Sequence, residues 1–390
     1  MKRGRSPRLV DRLSDLDRRF LERALALAER ARGHTHPNPI VGAVVVKDGR
    51  VVGEGHHPRA GAPHAEVFAL EAAGEAARGA TVYVSLEPCN HTGRTPPCSL
   101  ALIRAGVARV VVAARDPNPE AGGGIERLRA AGVEVVLAGW DERVRQQNLA
   151  FFTAVRRRRP FVRFKAGATL DGRLADAEGR SRWITSEASR RVAHAFRQEA
   201  AALVVGAGTA IADDPRLTTR DPDFRPFPEM REPPPLRDPL PVVMDTEART
   251  PPDARLVARG AWVLVGEGAP ERRIAALREA GARVAVLPRE EGRVSVAAAL
   301  DLLYRSGLTS LLLEAGPRLA GAFFREGAVD RVSLFLAPLF LGEGRGLLEG
   351  CAPALDEAPR FRLLSSERLG EDLWLELAPR EGEGSACLPD

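Results

Sequence analysis

Three metal-binding side chains sit at fixed points along this chain and dictate where it has to fold. Glu66 follows His64 by two residues, Cys89 follows Pro88, and eight residues separate Cys89 from Cys98. One imidazole and two thiolates form a donor set that suits Zn²⁺ and leaves its fourth position open for water. Apolar patterning puts His64 at the start of a helix over 64–73, Cys89 just past a strand over 81–86, and Cys98 in the first turn of a helix over 97–105. For the three to meet, two helix N-termini must point at one place. Their positive dipole ends favour thiolates and lower the thiol pKa.

The surrounding pattern predicts a layered α/β sandwich for the first half. A helix is expected over 20–31, then strands over 40–47 and 51–54 around Asp48-Gly49, a hairpin signal. Further strands follow at 109–113 and 133–137, with helices at 125–131 and 141–155. Arg156 to Arg159, followed by Pro160, stops the last helix and marks a domain boundary. The second half restarts with a strand at 161–168 and continues with strands at 202–205, 242–244, 262–265, 284–287, 310–314 and 331–339. Helices at 187–200, 271–280, 296–306 and 317–326 alternate with them, so a second α/β domain with a mostly parallel sheet is expected. Residues 220–241, rich in proline and charge, read as a loop. The expected division is a basic tail (1–14), a first domain (15–158), a second domain (159–380) and a C-terminal tail (381–390).

A length of 390 residues suits two domains. No run of eighteen apolar residues occurs, which excludes a membrane-spanning helix, and the basic N-terminus lacks the apolar stretch of a secretory signal. Four cysteines, two of them committed to the metal set and Cys351 and Cys387 far away, are no disulfide framework and fit a reducing cytoplasm. The net charge of +5 comes from Lys2, Arg3, Arg5 and Arg8 in the tail and from Arg156 to Arg159; without them the body is slightly acidic. These clusters read as a solvated tail and a solvated hinge, since no aromatic side chains interleave with them as in a single-strand binding platform.

Zinc acidifies the water it binds to a pKa of roughly 7. Glu66, beside the ligands, can carry that water's proton to a ring nitrogen and a leaving ammonia, which is the chemistry of a zinc deaminase. A closed structural site would need a fourth protein ligand, for which His57 or His91 is available, but it would have no use for Glu66. Asn38, held rigid in Pro37-Asn38-Pro39, either reads the edge of a heterocyclic base or simply forms a turn. In the second half, Gly206-Ala207-Gly208-Thr209 lacks the third glycine of a dinucleotide fingerprint. The segment from Gly316 to Gly321 opens a helix after a buried strand, as a phosphate-binding helix N-terminus or as a plain strand-to-helix turn.

Pro37-Asn38-Pro39-Ile40-Val41-Gly42, His64-Ala65-Glu66-Val67 and the segment from Glu87 to Cys98 closely resemble the bifunctional deaminase/reductase of riboflavin biosynthesis. In that family the long segment between the cysteines is the usual form. In the second half, Lys165-Ala166-Gly167-Ala168-Thr169-Leu170-Asp171-Gly172, Trp183-Ile184-Thr185-Ser186, Val205-Gly206-Ala207-Gly208-Thr209 with Asp213-Asp214-Pro215-Arg216-Leu217-Thr218, and Glu314-Ala315-Gly316 resemble its reductase domain. The resemblance covers about 20–377. It implies an α/β protein with an N-terminal cytidine-deaminase-like α/β/α sandwich and a C-terminal dihydrofolate-reductase-like α/β domain. It further implies that His64, Cys89 and Cys98 hold zinc, that Glu66 shuttles protons, and that Asn38, His57 and His91 line the pocket for a diaminopyrimidinone ring.

For the reductase domain the resemblance implies NADPH against Gly167, Trp183, Thr209, Asp213, Thr246, Gly316, Pro317, Arg318, Leu319, Ala320, Gly321 and Ala322. Substrate meets Ser181, Arg197, Leu217, Arg220 and Glu314, and the two guanidinium groups suit a phosphoribosyl dianion. Lys165 and Glu314 either handle protons or only orient substrate. The implied partner is a small phosphoribosyl pyrimidine, with neither nucleic acid nor membrane, in a cytoplasmic homo-oligomer (dimer or tetramer). A tRNA base deaminase carrying a fused reductase-like domain is the alternative: the basic tail favours it, and the cysteine segment and second half argue against it. A zinc-stabilised binding module without activity would leave Glu66 and the open coordination position unused.

Overall fold

In a computed structural model, residues 13–92, 96–220, 236–351 and 353–380 are described. Lys2, Arg3, Arg5 and Arg8 of the basic tail, Gly93 to Thr95 between the cysteines, most of the proline-rich stretch (221–235), Cys387 and the tail 381–390 lie outside them. The described residues fall into two compact units that part between Arg157 and Arg158.

The first unit runs α1 (Asp15–Ala28), β1 (Gly42–Lys47), β2 (Arg50–His56), α2 (Ala65–Ala73), β3 (Thr81–Val84), α3 (Cys98–Ala105), β4 (Arg109–Val112), α4 (Gly124–Ala130), β5 (Glu134–Leu137), α5 (Asp141–Gln147) and α6 (Leu149–Arg157). Its sheet has the order β2-β1-β3-β4-β5, with β1 antiparallel to β2 and β3 and the rest parallel. Phe20, Leu21 and Leu25 of α1 pack on one face, and Ala69, Leu102, Ile125 and Leu128 of α2, α3 and α4 on the other. The hairpin turn holds Asp48 and Gly49 at φ 50° and 73°, which glycine tolerates without strain. Gly55 lets α2 lie directly on β2, since a Cβ there would stand 2.4 Å from the Ala65 carbonyl oxygen.

Two expectations change here. The first helix begins at Asp15, five residues before its apolar pattern. Ser14 Oγ accepts the Asp17 N–H and the Asp17 carboxylate accepts the Ser14 N–H, each at 3.1 Å, a reciprocal cap. The single helix expected over 141–155 is two, broken at Asn148. That side chain accepts the Ile40 N–H at 2.8 Å and donates to the Ile40 carbonyl at 3.3 Å, and its own backbone leaves helical geometry.

The second unit comprises β6 (Phe161–Thr169), β7 (Arg173–Ala175), α7 (Glu187–Glu199), β8 (Ala202–Gly206), α8 (Ala207–Asp213), β9 (Leu240–Met244), β10 (Trp262–Gly266), α9 (Glu271–Glu279), β11 (Arg283–Leu287), β12 (Arg289–Glu290), β13 (Arg293–Val294), α10 (Val296–Arg305), β14 (Ser310–Leu313), α11 (Pro317–Arg325), β15 (Arg331–Ala337), β16 (Arg345–Gly346), β17 (Phe361–Leu369) and β18 (Asp372–Pro379). Nine strands form one sheet, β11-β10-β9-β8-β14-β6-β15-β18-β17, parallel throughout except for the last two. Phe196 of α7 packs on Phe335 and Trp374 on one face, while Phe323 of α11 and Leu303 of α10 fill the other.

The sequence pattern missed β17 and β18. β17 reads Phe-Arg-Leu-Leu-Ser-Ser-Glu-Arg-Leu and is largely exposed, so it lacks the apolar run of a buried strand. The arginine cluster at the boundary is also not simply a solvated hinge. Arg159 donates to both oxygens of Asp330 at 2.7 and 2.9 Å, and Asp330 also accepts the Val162 N–H.

Asp17 is the polar keystone of the first unit. It accepts from Tyr83 Oη at 2.9 Å and from Arg109 at 2.7 and 3.2 Å, tying α1 to β3 and β4. Burial alone would raise its pKa, but the hydrogen bonds from Arg109, Ser14 and Tyr83 outweigh burial and hold it below the usual 3.8. A lowered carboxyl stabilises the fold above its unfolded pKa, and that stabilisation fades as pH falls through and below about 4. Asp17→Asn should cost about 3 kcal/mol at neutral pH, and its urea midpoint should fall less than the wild type's between about pH 5 and 3. Parallel pH curves for the two proteins would contradict this.

Candidate active sites

The first site grows from the carboxyl end of β3. The chain leaves that strand through Ser85 to Pro88 and delivers Cys89, while α2 and α3 begin at the same place, with His64 as the N-cap of α2 and Cys98 as the first residue of α3. His64 Nδ1 lies 3.2 Å from Cys98 Sγ and 3.5 Å from Cys89 Sγ, and the three donor atoms lie within 4.8 Å of one another. Tetrahedral Zn²⁺ with bonds of about 2.0–2.3 Å fits such a triangle. The Cys98 backbone N–H donates to Cys89 Sγ at 3.4 Å. The Cys98 thiol and then His64 hold Cys89 as a thiolate, down at about 4 against burial, and Cys98 is pushed up in return.

Neither His57 nor His91 joins this group, so among the described residues the donor set has three members and stays open. His57 Nδ1 donates to the Pro63 carbonyl at 3.1 Å, which leaves Nε2 to accept from Asn38 Nδ2 at 3.1 Å. Burial, assisted by the charges of His64 and His56, lowers the His57 pKa and keeps the ring neutral. Glu66 is buried beside the triad, and its Oε2 meets no hydrogen-bond partner among the described residues. Burial and then the Cys89 thiolate push Glu66 up to about 7.

A cavity of about 410 Å³ opens over this group, lined by Asn38, His57, His64, Glu66, Cys89 and His91, with Phe151 also in its wall. Sequence reasoning overlooked several of its residues. Asp116 and Asn118 also line it, within Asp116-Pro117-Asn118-Pro119, which repeats the Pro-Asn-Pro motif at Asn38; that repetition was the available signal. Buried Glu87 accepts the N–H groups of Asp116, Gly123 and Ile125 at 3.3, 3.0 and 3.2 Å and so shapes this wall. Asn148, through Ile40, anchors the segment that presents Asn38.

The second site gathers at β6, α7 and the carboxyl end of β14. Arg197 donates to both oxygens of Glu314, at 2.9 and 2.7 Å, and to the Thr218 carbonyl at 3.0 Å. Burial alone would raise the Glu314 pKa, but the charges of Arg197 and Lys165 hold it at about 2. Lys165 is shifted down, mainly by burial and further by Arg197, while Glu314 opposes the shift. Its ammonium stands 6.0 Å from the Phe335 ring.

The residues expected to meet the cofactor divide. Gly316 caps α11 and Pro317 occupies its first position; a Cβ on Gly316 would meet nothing within 4 Å, so the backbone there faces open space. The amides of Arg318 and Leu319 in the first turn have no intrahelical acceptor. Ala320, by contrast, already donates to the Gly316 carbonyl at 3.1 Å. Gly321 packs on the Glu349 backbone, where a Cβ would stand 2.0 Å from the carbonyl oxygen, and Ala322 lies deeper in the helix. Trp183 is 71% exposed under the Arg190 guanidinium, 4.3 Å away. Asp213 pairs with Arg182 at 3.2 Å, Thr246 Oγ1 accepts the Val294 N–H at 3.2 Å, and Gly167 packs on Thr185. Thr209 is half-buried in α8, which the glycine-rich reading had missed. Ser181 and Arg220 are exposed, whereas the Leu217 side chain is 3% exposed in the core and can offer a ligand only its backbone.

Residues 14–114 match the cytidine and deoxycytidylate deaminase zinc-binding region, and residues 160–375 match the RibD C-terminal domain. The riboflavin biosynthesis protein RibD of Aquifex aeolicus is 42% identical over 363 residues, 93% of this chain and 98% of that protein. That of Escherichia coli is 43% identical over 372 residues, 93% and 99%. The chain belongs to the RibD family. The crystal structure of Acinetobacter baumannii RibD superposes with a TM-score of 0.83 at 36% identity, covering 94% of this chain and 99% of that one. A Thermotoga maritima diaminohydroxyphosphoribosylaminopyrimidine deaminase/5-amino-6-(5-phosphoribosylamino)uracil reductase does so with 0.81 at 35%, covering 94% and 99%.

RibD membership makes the chain a riboflavin-biosynthesis enzyme with a zinc-binding deaminase domain and an NADPH-dependent reductase domain, and it displaces the tRNA deaminase alternative. The two units are the cytidine-deaminase-like and dihydrofolate-reductase-like folds of RibD. No described helix is long and apolar enough to cross a membrane. Cys98→Ala removes one of three ligands and should lower zinc from about one ion per chain to well below it, as measured by plasma mass spectrometry; full zinc content in this variant would refute the ligand assignment.

Proposed function

We propose that the first site hydrolyses the 2-amino group of 2,5-diamino-6-(5-phosphoribosylamino)pyrimidin-4-one, and that the second reduces the ribosyl group of the product to ribityl. The open His64–Cys89–Cys98 triangle, with buried Glu66 beside it whose Oε2 has no hydrogen-bond partner among the described residues, carries the first assignment. Bound zinc supplies a Lewis acid that makes water nucleophilic near neutral pH. Glu66 takes the proton from that water and passes it to the ring nitrogen and the leaving ammonia. Asn38, its Nδ2 engaged by His57, turns its amide oxygen to a ring donor, while His91, Asp116 and Asn118 meet the rest of the substrate.

In the second site NADPH supplies hydride to the sugar C1′, and the chain positions it. The amides of Arg318 and Leu319 at the start of α11 would hold its phosphates. Glu314, held ionised by Arg197, cannot donate a proton near neutral pH and instead supports the positive charge that develops at C1′. Lys165, with its lowered pKa, gives the proton that the sugar ring oxygen needs as the ring opens. Because Arg197 already spends three nitrogens on Glu314 and Thr218, the sugar phosphate falls mainly to exposed Arg220, with Arg197's remaining N–H groups behind it. The scarcity of cysteine supports a cytoplasmic setting, and the exposed Leu363 on edge strand β17 and Leu373 on the neighbouring β18 support a homo-oligomer.

Glu66→Gln should keep its zinc and lose ammonia release by about 10²-fold or more; normal release from a zinc-loaded variant would end the proton-shuttle assignment. Arg220→Ala should raise the reductase KM for the phosphorylated substrate about tenfold, with little change in kcat. An unchanged KM would remove Arg220 from the phosphate site.

A further inference from the structure

His194 sits on α7 one helical turn before Arg197 and belongs to no motif used above. Its Nδ1 is buried and finds no hydrogen-bond partner among the described residues. Such an atom costs a fold stability unless something outside the chain satisfies it. The charges that act on the ring are those of Arg197, Glu314, Arg220 and Lys165, the same groups that make up the reductase site. Burial and then the neighbouring cations hold its pKa at about 4, so the ring is uncharged near neutral pH and keeps a lone pair.

The balance of donors and acceptors in this cluster is uneven. Lys165, Arg197 and Arg220 can only donate. Glu314 is an acceptor, but each of its oxygens already accepts one hydrogen bond from Arg197, which fixes its orientation and leaves it one further lone pair per oxygen. A sugar hydroxyl that binds here finds donors readily and still needs an acceptor for its own proton. A ribosyl group also gains a hydroxyl when its ring opens, because the ring oxygen leaves C1′ and takes up a proton.

Building on the reductase assignment, we propose that His194 is a substrate-binding residue of the second site, whose neutral Nδ1 accepts a hydrogen bond from a hydroxyl of the phosphoribosyl chain. A polar site rejects ligands that leave its buried groups unpaired, so His194 also selects a hydroxylated chain over a deoxygenated one.

The full-length enzyme tests this with three variants assayed for reduction of the deaminated aminouracil substrate. His194→Leu should raise KM about tenfold or more, with a smaller change in kcat, and should hold or raise the melting temperature, because a buried unpaired atom is replaced by an apolar group of similar size. His194→Gln, which retains an uncharged acceptor, should recover most of the lost affinity. Lys165→Met reports on the site itself. If His194→Leu leaves KM unchanged while Lys165→Met abolishes reduction, the site stands and the role of His194 is wrong. If neither variant affects reduction, the site assignment falls and this inference falls with it. A marked drop in melting temperature in His194→Leu, with KM unchanged in the folded fraction, would show His194 to be structural and would also overturn the proposal.

Discussion

Two thiolates, an imidazole and a carboxylate that share one buried point form a combination that no chain tolerates without design around it. Each group disturbs the ionisation of the others: burial and then the Cys89 thiolate push Glu66 up to about 7, and the hydrogen bond to Cys89, with burial, pushes the Cys98 thiol up as well. A cation at the centre is the natural relief, and the fold is arranged to receive one. Two helices begin where one strand ends, so two dipole ends lie at the site and the Cys98 N–H donates to Cys89 Sγ. The glycines of β2 that let α2 lie against the sheet, and the Glu87 carboxylate that organises the loop past Cys89, maintain this convergence.

The two sites use the same residue type to opposite ends. Glu66 and Glu314 both leave water, and burial raises the pKa of both. Glu66 has no hydrogen-bonded cation to oppose that rise and stays near the pH at which a proton can come and go. Glu314 is gripped through both oxygens by Arg197, which keeps it charged at about 2. A carboxylate that exchanges protons and one that supplies a fixed negative charge therefore differ only in their partners. Deamination must move protons between water, ring and ammonia, whereas reduction at C1′ must tolerate a transient positive carbon.

Much of this was legible before any coordinates, and what was hidden shared one physical origin. His64, Glu66, Cys89 and Cys98 could be read because they combine an unusual chemistry with a local pattern that fixes where helices start. The hairpin at Asp48-Gly49 was legible from φ requirements alone. Asn148 escaped notice because its role lies in a bond to Ile40, 108 positions away, which breaks a helix that local propensity would have continued. β17 escaped because an edge strand wet along most of its length carries no apolar run, whereas β18, which lies between β15 and β17, was missed despite its apolar stretch from Leu373 to Leu375. Leu217 and Gly321 were associated with ligands by motif, yet one fills the core and the other admits a neighbouring backbone.

By itself the sequence determined the chemistry at its disposal: a zinc donor set with an acid beside it, two α/β domains, and the motifs of a deaminase joined to a reductase. Residue type and short spacing suffice for that, because helix starts, turns and ligand preferences are local properties. Only the tertiary structure decided protonation and partnership. It left Glu66 Oε2 without a partner among the described residues and gave Glu314 to Arg197, kept His57 out of the metal set by engaging both its nitrogens, and left His194 Nδ1 without a partner beside cations. Those outcomes depend on burial and on charges brought together from distant parts of the chain, and no short stretch of sequence contains either.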